Sequence, residues 1–361
     1  MSQLHLLDLD LSDLEKVVQG LDQPRFRARQ IWDWLYGQYV HDWDAMSNVP
    51  KSLLDALRVK AIPYSLTEAG RQVSTDGTIK WAFQTHDGHV FETVLIPSEG
   101  RRSICMSSQI GCAMGCTFCR TATMGFIRNL TLGEILEQAH RVARHLRDTE
   151  GGRLSNVIFM GMGEPMHNLE NVARACERLS SPEGFGIGKN HITVSTSGVV
   201  PKMLEWADRA PDFKLAVSLN GSNDAVRSAI MPVNKRWPIA ALLEAADAYI
   251  AKTGQMLTFE YVLIAGKTCT PEAARELRHI ASHRNCKINL IPLNAGNPDM
   301  LAPSEAEMTE FEKILRPRHG FQVLRRRARG PDILAACGQL AQQTRRRNPR
   351  PQESSHVEKV V

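Results

Sequence analysis

The sequence predicts an α/β protein in which a small helical domain and a β-hairpin extension precede a partial β/α barrel. Three observations support this prediction. Apolar residues recur at helical spacing near the N-terminus, they alternate around a tight turn after residue 66, and six later apolar runs are separated by helical patterns. Strand–helix units of roughly 30–40 residues build a parallel sheet with right-handed crossovers.

We expect residues 1–65 to form an N-terminal helical accessory domain. Its clearest helical pattern consists of Ala28, Ile31, Trp32, Leu35, Tyr36 and Tyr39. These side chains are predicted to form the core of the domain, with Arg25, Arg27 and Arg29 on its solvated face. Aromatic side chains among arginines also suit an RNA-binding surface, and that alternative stays open.

Residues 66–97 are predicted to form the β-hairpin extension. Strand-like residues occupy Trp81–Gln84 and Val90–Ile96, and Asp87 and Gly88 lie between them. An Asp-Gly pair between two such runs is typical of a hairpin turn. Pro97 is expected to end the second strand.

Residues 98–341 are predicted to form the barrel. A first strand is expected near Ser103–Ser108, and the later apolar runs cover 157–160, 192–196, 215–219, 257–264, 288–293 and 321–324. Capping boxes at Thr131–Glu134 and Ser304–Glu307, and an N-cap at Thr270, mark helix starts between these runs. In barrels of this kind the chemistry lies at the C-terminal ends of the strands.

The charge of the chain is concentrated near its C-terminus. The 361 residues carry a net charge of +5, whereas residues 311–350 alone hold eleven basic and two acidic side chains. Such a basic region favours a polyanionic partner, RNA or DNA before a membrane, and a solvated tail is the alternative. Residues 342–361 are expected to be a basic, disordered tail.

The N-terminal segment and the hydropathy of the chain bear on its location. No apolar run approaches the roughly 18–20 residues of a membrane span, and no basic segment followed by an apolar stretch opens the chain. We therefore expect a cytoplasmic protein without membrane contact. In that compartment the eight cysteines should be thiols rather than a disulfide framework.

Three of the cysteines form the most informative motif in the sequence. Cys112, Cys116 and Cys119 follow the first predicted barrel strand with the spacing C-x3-C-x2-C. A structural zinc site or an electron-transfer 4Fe–4S cluster would take a fourth protein ligand. Three thiolates around four irons leave one iron open for a substrate or cofactor, and this is the arrangement we predict.

Further short motifs lie at the predicted C-terminal strand ends. Gly163 and Glu164 follow the second strand, Ser195 ends the third, Ser218 ends the fourth and Asn294 follows a later one. Glycine lets a ligand approach the backbone, and a carboxylate can hold an ammonium group. A separate run of small residues surrounds Cys337 in the basic C-terminal segment.

Taken together, the cysteine loop, the strand-end motifs and the Ala335–Leu340 segment resemble the radical S-adenosylmethionine (SAM) adenine-C2 RNA methyltransferases. The similarity runs from about residue 10 to 341. It implies a radical SAM barrel, a 4Fe–4S cluster held by three cysteines, and two SAM molecules per turnover. It also implies methylation at C2 of an adenosine in the peptidyl-transferase centre of 23S rRNA and, in some members, of a tRNA adenosine.

The resemblance also assigns roles to individual residues. It implies that Cys112, Cys116 and Cys119 bind the cluster and that Cys337 carries the methyl group as S-methylcysteine. Cys105 would resolve the covalent protein–RNA adduct, leaving a transient disulfide with Cys337, and Glu92 would accept a proton. The residues implied in SAM binding are Gly163, Glu164, Ser195, Ser218, Leu219, Asn220 and Asn294, with Asn220 standing where the family usually has histidine.

Partners and competing functions complete the sequence-based expectations. Arg325, Arg326, Arg327 and Arg329 are expected to hold RNA phosphates. We expect a monomer that takes electrons from a donor such as flavodoxin. One alternative is methylation at C8 of the same rRNA adenosine, and another is a non-catalytic iron–sulfur protein that binds RNA. Residues 329–333 resemble the C2 group more closely.

Overall fold

The structure is a computed structural model that describes residues 3–294, 299–316 and 321–341. The predicted tail, residues 342–361, lies outside these ranges, as does part of the loop that follows Asn294. The N-terminal elements are β1 (Leu4–His5), α1 (Leu11–Gln19), α2 (Phe26–Trp32), α3 (Lys51–Lys60) and β2 (Ala61–Ile62).

The predicted core of the N-terminal helical region is confirmed except at Tyr39, which is only half-buried. Ala28, Ile31 and Leu35 are fully buried, and Trp32 and Tyr36 are almost so. Two of the flanking arginines form ion pairs at the surface: Arg25 with Glu15, and Arg29 with Glu183. The Arg29 pair and a hydrogen bond from Trp32 Nε1 to the Glu183 carbonyl join this region to the rest of the molecule.

The predicted hairpin is present, with a third strand added. β3 (Thr67–Val73), β4 (Ile79–Gln84) and β5 (Val90–Ser98) form an antiparallel meander. The meander is continuous with the barrel sheet, because β5 also pairs antiparallel with β6 (Arg101–Cys105), the first strand of the barrel. One continuous sheet therefore links the meander to the barrel.

The barrel is an open sheet with helices between its parallel strands. The sheet has ten strands in the order β14-β13-β12-β11-β10-β9-β6-β5-β4-β3. Seven of them, β6 and β9 to β14, are parallel, and the other three are the strands of the meander, whereas β7 and β8 form a separate two-stranded sheet. The remaining elements, in chain order, are β7 (Gln109–Gly111), β8 (Phe126–Asn129), α4 (Leu132–Glu150), β9 (Asn156–Phe159), α5 (Leu169–Ser180), β10 (Ile192–Thr196), α6 (Val200–Arg209), β11 (Lys214–Ser218), α7 (Asp224–Ile230), α8 (Ile239–Thr253), β12 (Leu257–Leu263), α9 (Pro271–Ala281), β13 (Cys286–Pro292), α10 (Glu305–Leu315) and β14 (Gln322–Arg325).

The helix starts are those that the sequence predicts. Thr131 accepts a hydrogen bond from the backbone N–H of Glu134, whose side chain bonds back to Thr131, and a second capping box opens α10. Thr270 caps α9 in the same way through its hydroxyl. These caps satisfy backbone donors that a helix leaves open at its N-terminus.

A partial β/α barrel is therefore confirmed. The C-terminal ends of its parallel strands lie at one edge of the sheet, and the loops that follow the strands meet there. Among the described residues, no helix combines the length and the hydropathy that crossing a bilayer requires.

Candidate active site

A cavity lies at the C-terminal ends of the parallel strands. About 1040 Å³ of space there is free of atoms, and part of this space is open to solvent. The cavity brings together most of the predicted site residues. Those that line it are Cys112, Cys116, Cys119, Gly163, Glu164, Ser195, Ser218, Asn220, Asn294 and Cys337.

The cysteine loop lies between β7 and β8 and is pinned at several points. The backbone N–H of Cys112 donates to Gly125 at 2.9 Å, and that of Thr117 donates to Ile230 at 3.0 Å. Gly111 stands at a φ of +72°, and a Cβ there would lie 1.8 Å from the Gly125 carbonyl oxygen. Only glycine therefore permits the close approach that closes the loop.

The environment of the cysteines fits a bound cluster. Burial raises the pKa of the Cys112 thiol to about 12, and burial together with Cys119 and Cys112 raises that of Cys116 further. Such thiols ionise when a metal holds the thiolate. No three His, Cys, Asp or Glu side chains of the described chain surround one ion-sized point. A 4Fe–4S cluster binds each thiolate to a different iron and so spreads its ligands apart.

Glu164 lines the cavity, but its carboxylate already has partners. One oxygen accepts hydrogen bonds from the backbone N–H and the hydroxyl of Ser197, at 2.7 and 2.8 Å, and the other accepts one from Met166 N at 3.0 Å. A carboxylate has about four acceptor sites, so capacity for an ammonium group remains. Ser197 was not predicted as a site residue, although it lies in the same motif as Ser195.

Gly163, which precedes Glu164, is a second position where the backbone requires glycine. Its φ is +100°, and a Cβ would lie 2.5 Å from Cβ of Gln109. The side chain of Gln109 accepts a hydrogen bond from Glu164 N at 2.8 Å. The glycine thus lets the chain pass Gln109 closely and presents Glu164 to the cavity.

Leu219 is the one predicted SAM contact that does not line the cavity. Its side chain is fully buried in the core. Its backbone N–H donates to the Glu260 carbonyl at 3.0 Å, and its own carbonyl accepts from Arg227 Nε at 2.9 Å. Next to it, Asn220 stands at a φ of +53° and accepts from Val262 N at 2.9 Å.

Arg227 supports this wall of the cavity and was not predicted. It is fully buried on α7 and donates to the carbonyls of Leu219 and Ser197 and to the side chain of Asn234. Burial lowers its pKa to about 10. A single arginine in a short helix carries no sequence signal that distinguishes it from a surface residue.

A second, smaller cavity adjoins the first and contains the other two predicted reactive cysteines. Cys105, Cys337 and Arg326 line it, and Cys337 also lines the larger cavity. Both cysteines are free thiols. Burial and the nearby Cys337 raise the pKa of Cys105 to about 12, and Arg326 opposes this shift. Cys337 thus stands in the wall that the two cavities share.

The structure divides the predicted arginine cluster. Arg325 pairs with Glu305 at 2.8 Å and with Glu312 at 3.0 Å. Arg326 faces the cysteines and lies 3.7 Å from a carboxylate oxygen of Glu260. Arg327 is exposed, Arg329 is half-buried, and neither has an ion-pair partner within the described ranges. These last two remain available to a polyanion.

Glu92 is buried beside the C-terminal segment, and it is not among the residues that line the two cavities. Its carboxylate lies 3.1 Å from Lys80 Nζ and accepts a hydrogen bond from Ala341 N at 3.0 Å. Burial raises the pKa of Glu92, and Lys80 and the Ala341 N–H oppose the shift. Lys80 was not predicted as a site residue.

Two family models match the chain. The ribosomal RNA large subunit methyltransferase N-terminal domain covers residues 4–62, and the radical SAM superfamily covers residues 106–268. The dual-specificity RNA methyltransferase RlmN of Anaeromyxobacter sp. (strain Fw109-5) is 44% identical over 342 residues, which are 93% of this chain and 90% of the relative. The chain belongs to the RlmN family of radical SAM RNA methyltransferases.

Other RlmN relatives and a solved structure agree with this assignment. RlmN 2 of Myxococcus xanthus (strain DK1622) is 45% identical over 90% of this chain and 87% of its own length. A crystal structure of a radical SAM methyltransferase from Sphaerobacter thermophilus, 44% identical, superposes with a TM-score of 0.90 over 93% of this chain and 99% of that one. The predicted fold, enzyme class and cofactors, a 4Fe–4S cluster and SAM, are therefore confirmed.

Proposed function

We propose that this enzyme methylates C2 of an adenosine in the peptidyl-transferase centre of 23S rRNA and also C2 of a tRNA adenosine. Two RNA substrates agree with the name dual-specificity RNA methyltransferase that its relatives carry. The observation that carries the proposal is the place of Cys337. This residue lines the cavity at the strand ends and also the cavity that contains Cys105. A thiol in that wall can accept a methyl group from the larger cavity and form a disulfide with Cys105 in the smaller one.

The target atom explains why this enzyme needs radical chemistry. C2 of adenine lies between two ring nitrogens and is not nucleophilic, so transfer of an electrophilic methyl group cannot work. When bound, the cluster and SAM supply a carbon-centred radical. Cys112, Cys116 and Cys119 hold the cluster, and the proposed SAM contacts are Gly163, Glu164, Ser195, Ser218, Leu219, Asn220 and Asn294. Leu219 would act only by supporting its neighbours.

The two reactive cysteines divide the remaining work. Cys337 would accept a methyl group that one bound SAM supplies and would carry that carbon to C2 with the radical that a second SAM supplies. Cys105 would lose its proton and attack the Cys337 sulfur, forming a disulfide as the bond between that sulfur and the RNA-bound carbon breaks. The carbon would leave with the bonding electron pair and take up a proton to become the methyl group. An external reductant then restores both thiols. Arg326 lines the smaller cavity together with both cysteines.

Glu92 is the proposed acceptor of the C2 proton. The bond between its carboxylate and Ala341 N places it directly under the C-terminal segment. Because it does not line either cavity, this segment must release that bond before Glu92 reaches the adenine. Lys80 keeps the carboxylate oriented.

RNA is proposed to bind beside the smaller cavity. Arg327 and Arg329 line it without acidic partners within the described ranges, so they can contact phosphates next to Cys337. The proposed organisation keeps residues 1–65 as an accessory domain, 66–97 as the extension, 98–341 as the core and 342–361 as a basic tail. An electron donor such as flavodoxin and a monomeric state are part of the proposal.

Modification mapping with anaerobically reconstituted enzyme tests the proposed position. The enzyme is incubated with SAM, reductant and either 23S rRNA or tRNA, and digested RNA is compared with 2-methyl- and 8-methyladenosine by mass spectrometry. 2-Methyladenosine supports the proposal, and 8-methyladenosine would replace it with the C8 alternative. If no 5′-deoxyadenosine forms, the proposed radical route is wrong.

Substitution of Cys105 tests the proposed roles of the two cysteines. Cys105→Ala should trap RNA covalently on Cys337, because the carbon is transferred but the adduct is not resolved. Cys286→Ala is the matched control, since Cys286 is also buried but lies outside both cavities. Free, normally methylated RNA from Cys105→Ala would contradict the assignment.

A further inference from the structure

The segment that carries Cys337 is held by the meander at several points. Asp332 accepts hydrogen bonds from Ser74 Oγ at 2.5 Å and from Thr75 N at 3.2 Å. Gly330 N donates to Asp76 at 3.1 Å. The turn between β3 and β4 therefore clasps the chain just before Cys337, and we call residues Ser74–Asp76 with Gly330 and Asp332 the clasp.

Backbone strain lies next to the clasp. Leu334 adopts a φ of +53°, which is costly for a residue with a side chain, and Gly330 adopts +57°. A Cβ on Gly330 would lie 2.8 Å from Cβ of Ala335 and 3.0 Å from Thr78. Strain of this kind persists only where the surroundings determine the backbone, and here the clasp and a bond from Lys80 Nζ to the Leu334 carbonyl do so.

The other end of the segment is held by the cluster side of the site. Arg120 N donates to Gly338 at 2.8 Å, Thr121 Oγ1 donates to Leu340 at 2.6 Å, and Asn294 Nδ2 donates to Cys337 at 3.1 Å. All three donors bond backbone carbonyls, so they fix the distance between the segment and the cavity. The clasp fixes the position of the segment along the meander.

We propose that Asp332 is a positioning residue, which through Ser74 and Thr75 holds Cys337 at the point where both cavities are within its reach. The inference rests on the proposed role of Cys337. Asp332 touches neither cavity and acts only by fixing the backbone five residues before the cysteine. Placement matters because a shift of about 1 Å in a reacting group can cost on the order of 100-fold in rate.

Three variants at the clasp test this role in the full-length holoenzyme. Asp332→Ala removes both acceptors, Asp332→Asn keeps one, and Ser74→Ala removes one donor. The matched control is Asp212→Asn, since Asp212 is an exposed aspartate that bonds Lys189 Nζ at 2.5 Å away from the site. For each variant we would measure kcat and KM for RNA, iron content, thermal midpoint and the methylated fraction of Cys337 by peptide mass spectrometry.

We expect Asp332→Ala to lower kcat about 10- to 100-fold and to lower the methylated fraction of Cys337. Asp332→Asn should lose less kcat than Asp332→Ala, and Ser74→Ala should lose the least. KM, iron content and thermal midpoint of all three should match the Asp212→Asn control. A kcat for Asp332→Ala within twofold of the control would overturn the proposal. So would a loss that appears only in KM, or one that follows the thermal midpoint across all three variants.

A further variant separates this inference from the proposed function on which it depends. If Cys337→Ala still methylates RNA, the proposed role of Cys337 is wrong and the clasp has no catalytic meaning. If Cys337→Ala is inactive and the Asp332 variants behave like the control, only the positioning role is wrong. Loss of structure in Asp332→Ala leaves Ser74→Ala as the deciding variant, because it removes only a hydroxyl, which donates to Asp332 and accepts from Asp76 N.

Discussion

Replacing Lys80 with methionine should destabilise the protein in a strongly pH-dependent way. Lys80 and Glu92 are each about 5% exposed, and their charged groups are 3.1 Å apart. Lys80→Met removes the cation and keeps most of the volume, so Glu92 is left as a buried charge without a counter-ion. Breaking a buried pair in this way costs about 3–5 kcal/mol.

The sign of the pH dependence follows from the pKa of Glu92. Burial raises it above the ordinary value of 4.5, so folding takes up a proton and the associated stability is lost as the pH rises through the folded-state pKa. Without Lys80 that pKa rises further, and each unit adds about 1.4 kcal/mol to the loss at high pH. Below the unfolded-state pKa the loss shrinks to about 1 kcal/mol, the contribution of the bond from Lys80 to Leu334.

Urea unfolding of the anaerobic holoenzyme at pH 5 and pH 8, followed by tryptophan fluorescence, measures these losses. The double variant Lys80→Met/Glu92→Gln should recover most of the stability at pH 8, because it removes the buried charge. Lys189→Met, in an exposed pair with Asp212, serves as the control and should change stability by less than about 0.5 kcal/mol. Equal losses at both pH values, or no recovery in the double variant, would refute the reasoning.

Four other changes have defined outcomes. Gly163→Ala should weaken SAM binding at least tenfold in equilibrium dialysis, because its Cβ would lie 2.5 Å from Gln109, whereas Gly37→Ala, with open space at its Cβ, should not. Arg227→Met should lower the free energy of unfolding by more than about 3 kcal/mol, measured in urea, since buried carbonyls lose their donor. Cys116→Ser should lose iron and visible absorbance in the purified protein, and Cys286→Ser should retain both. Deleting residues 342–361 should lower RNA affinity and flatten its dependence on salt, and an unchanged slope in a filter-binding titration would exclude a phosphate-binding role for the tail.

Much of the fold follows from local patterns. The runs at 192–196 and 257–264 lie within one residue of the observed β10 and β12, because buried parallel strands are continuous apolar segments. The capping boxes at Thr131 and Ser304 start helices as predicted, since their hydrogen bonds span three residues. The cysteine motif could also be recognised from the sequence, because its three cysteines lie within eight residues.

Contacts between distant parts of the chain could not be predicted from the sequence. Leu219 belongs to a strand-end motif, yet it faces the core, because the direction of a side chain after a strand depends on the loop that follows. Arg325 is one of four similar arginines, and only the fold places it beside Glu305 and Glu312. Arg227 had no sequence signal, because its partners are carbonyls on neighbouring loops.

The sequence by itself determined the class of fold and the family and predicted a set of reactive residues, because each rests on spacing within a short segment. Only the tertiary structure decided how these residues work together. It joined the meander to the barrel sheet, buried Glu92 against Lys80 and brought Asp332 to Ser74 across 258 positions of the chain. Such contacts depend on the order of strands in the sheet, which no local pattern encodes.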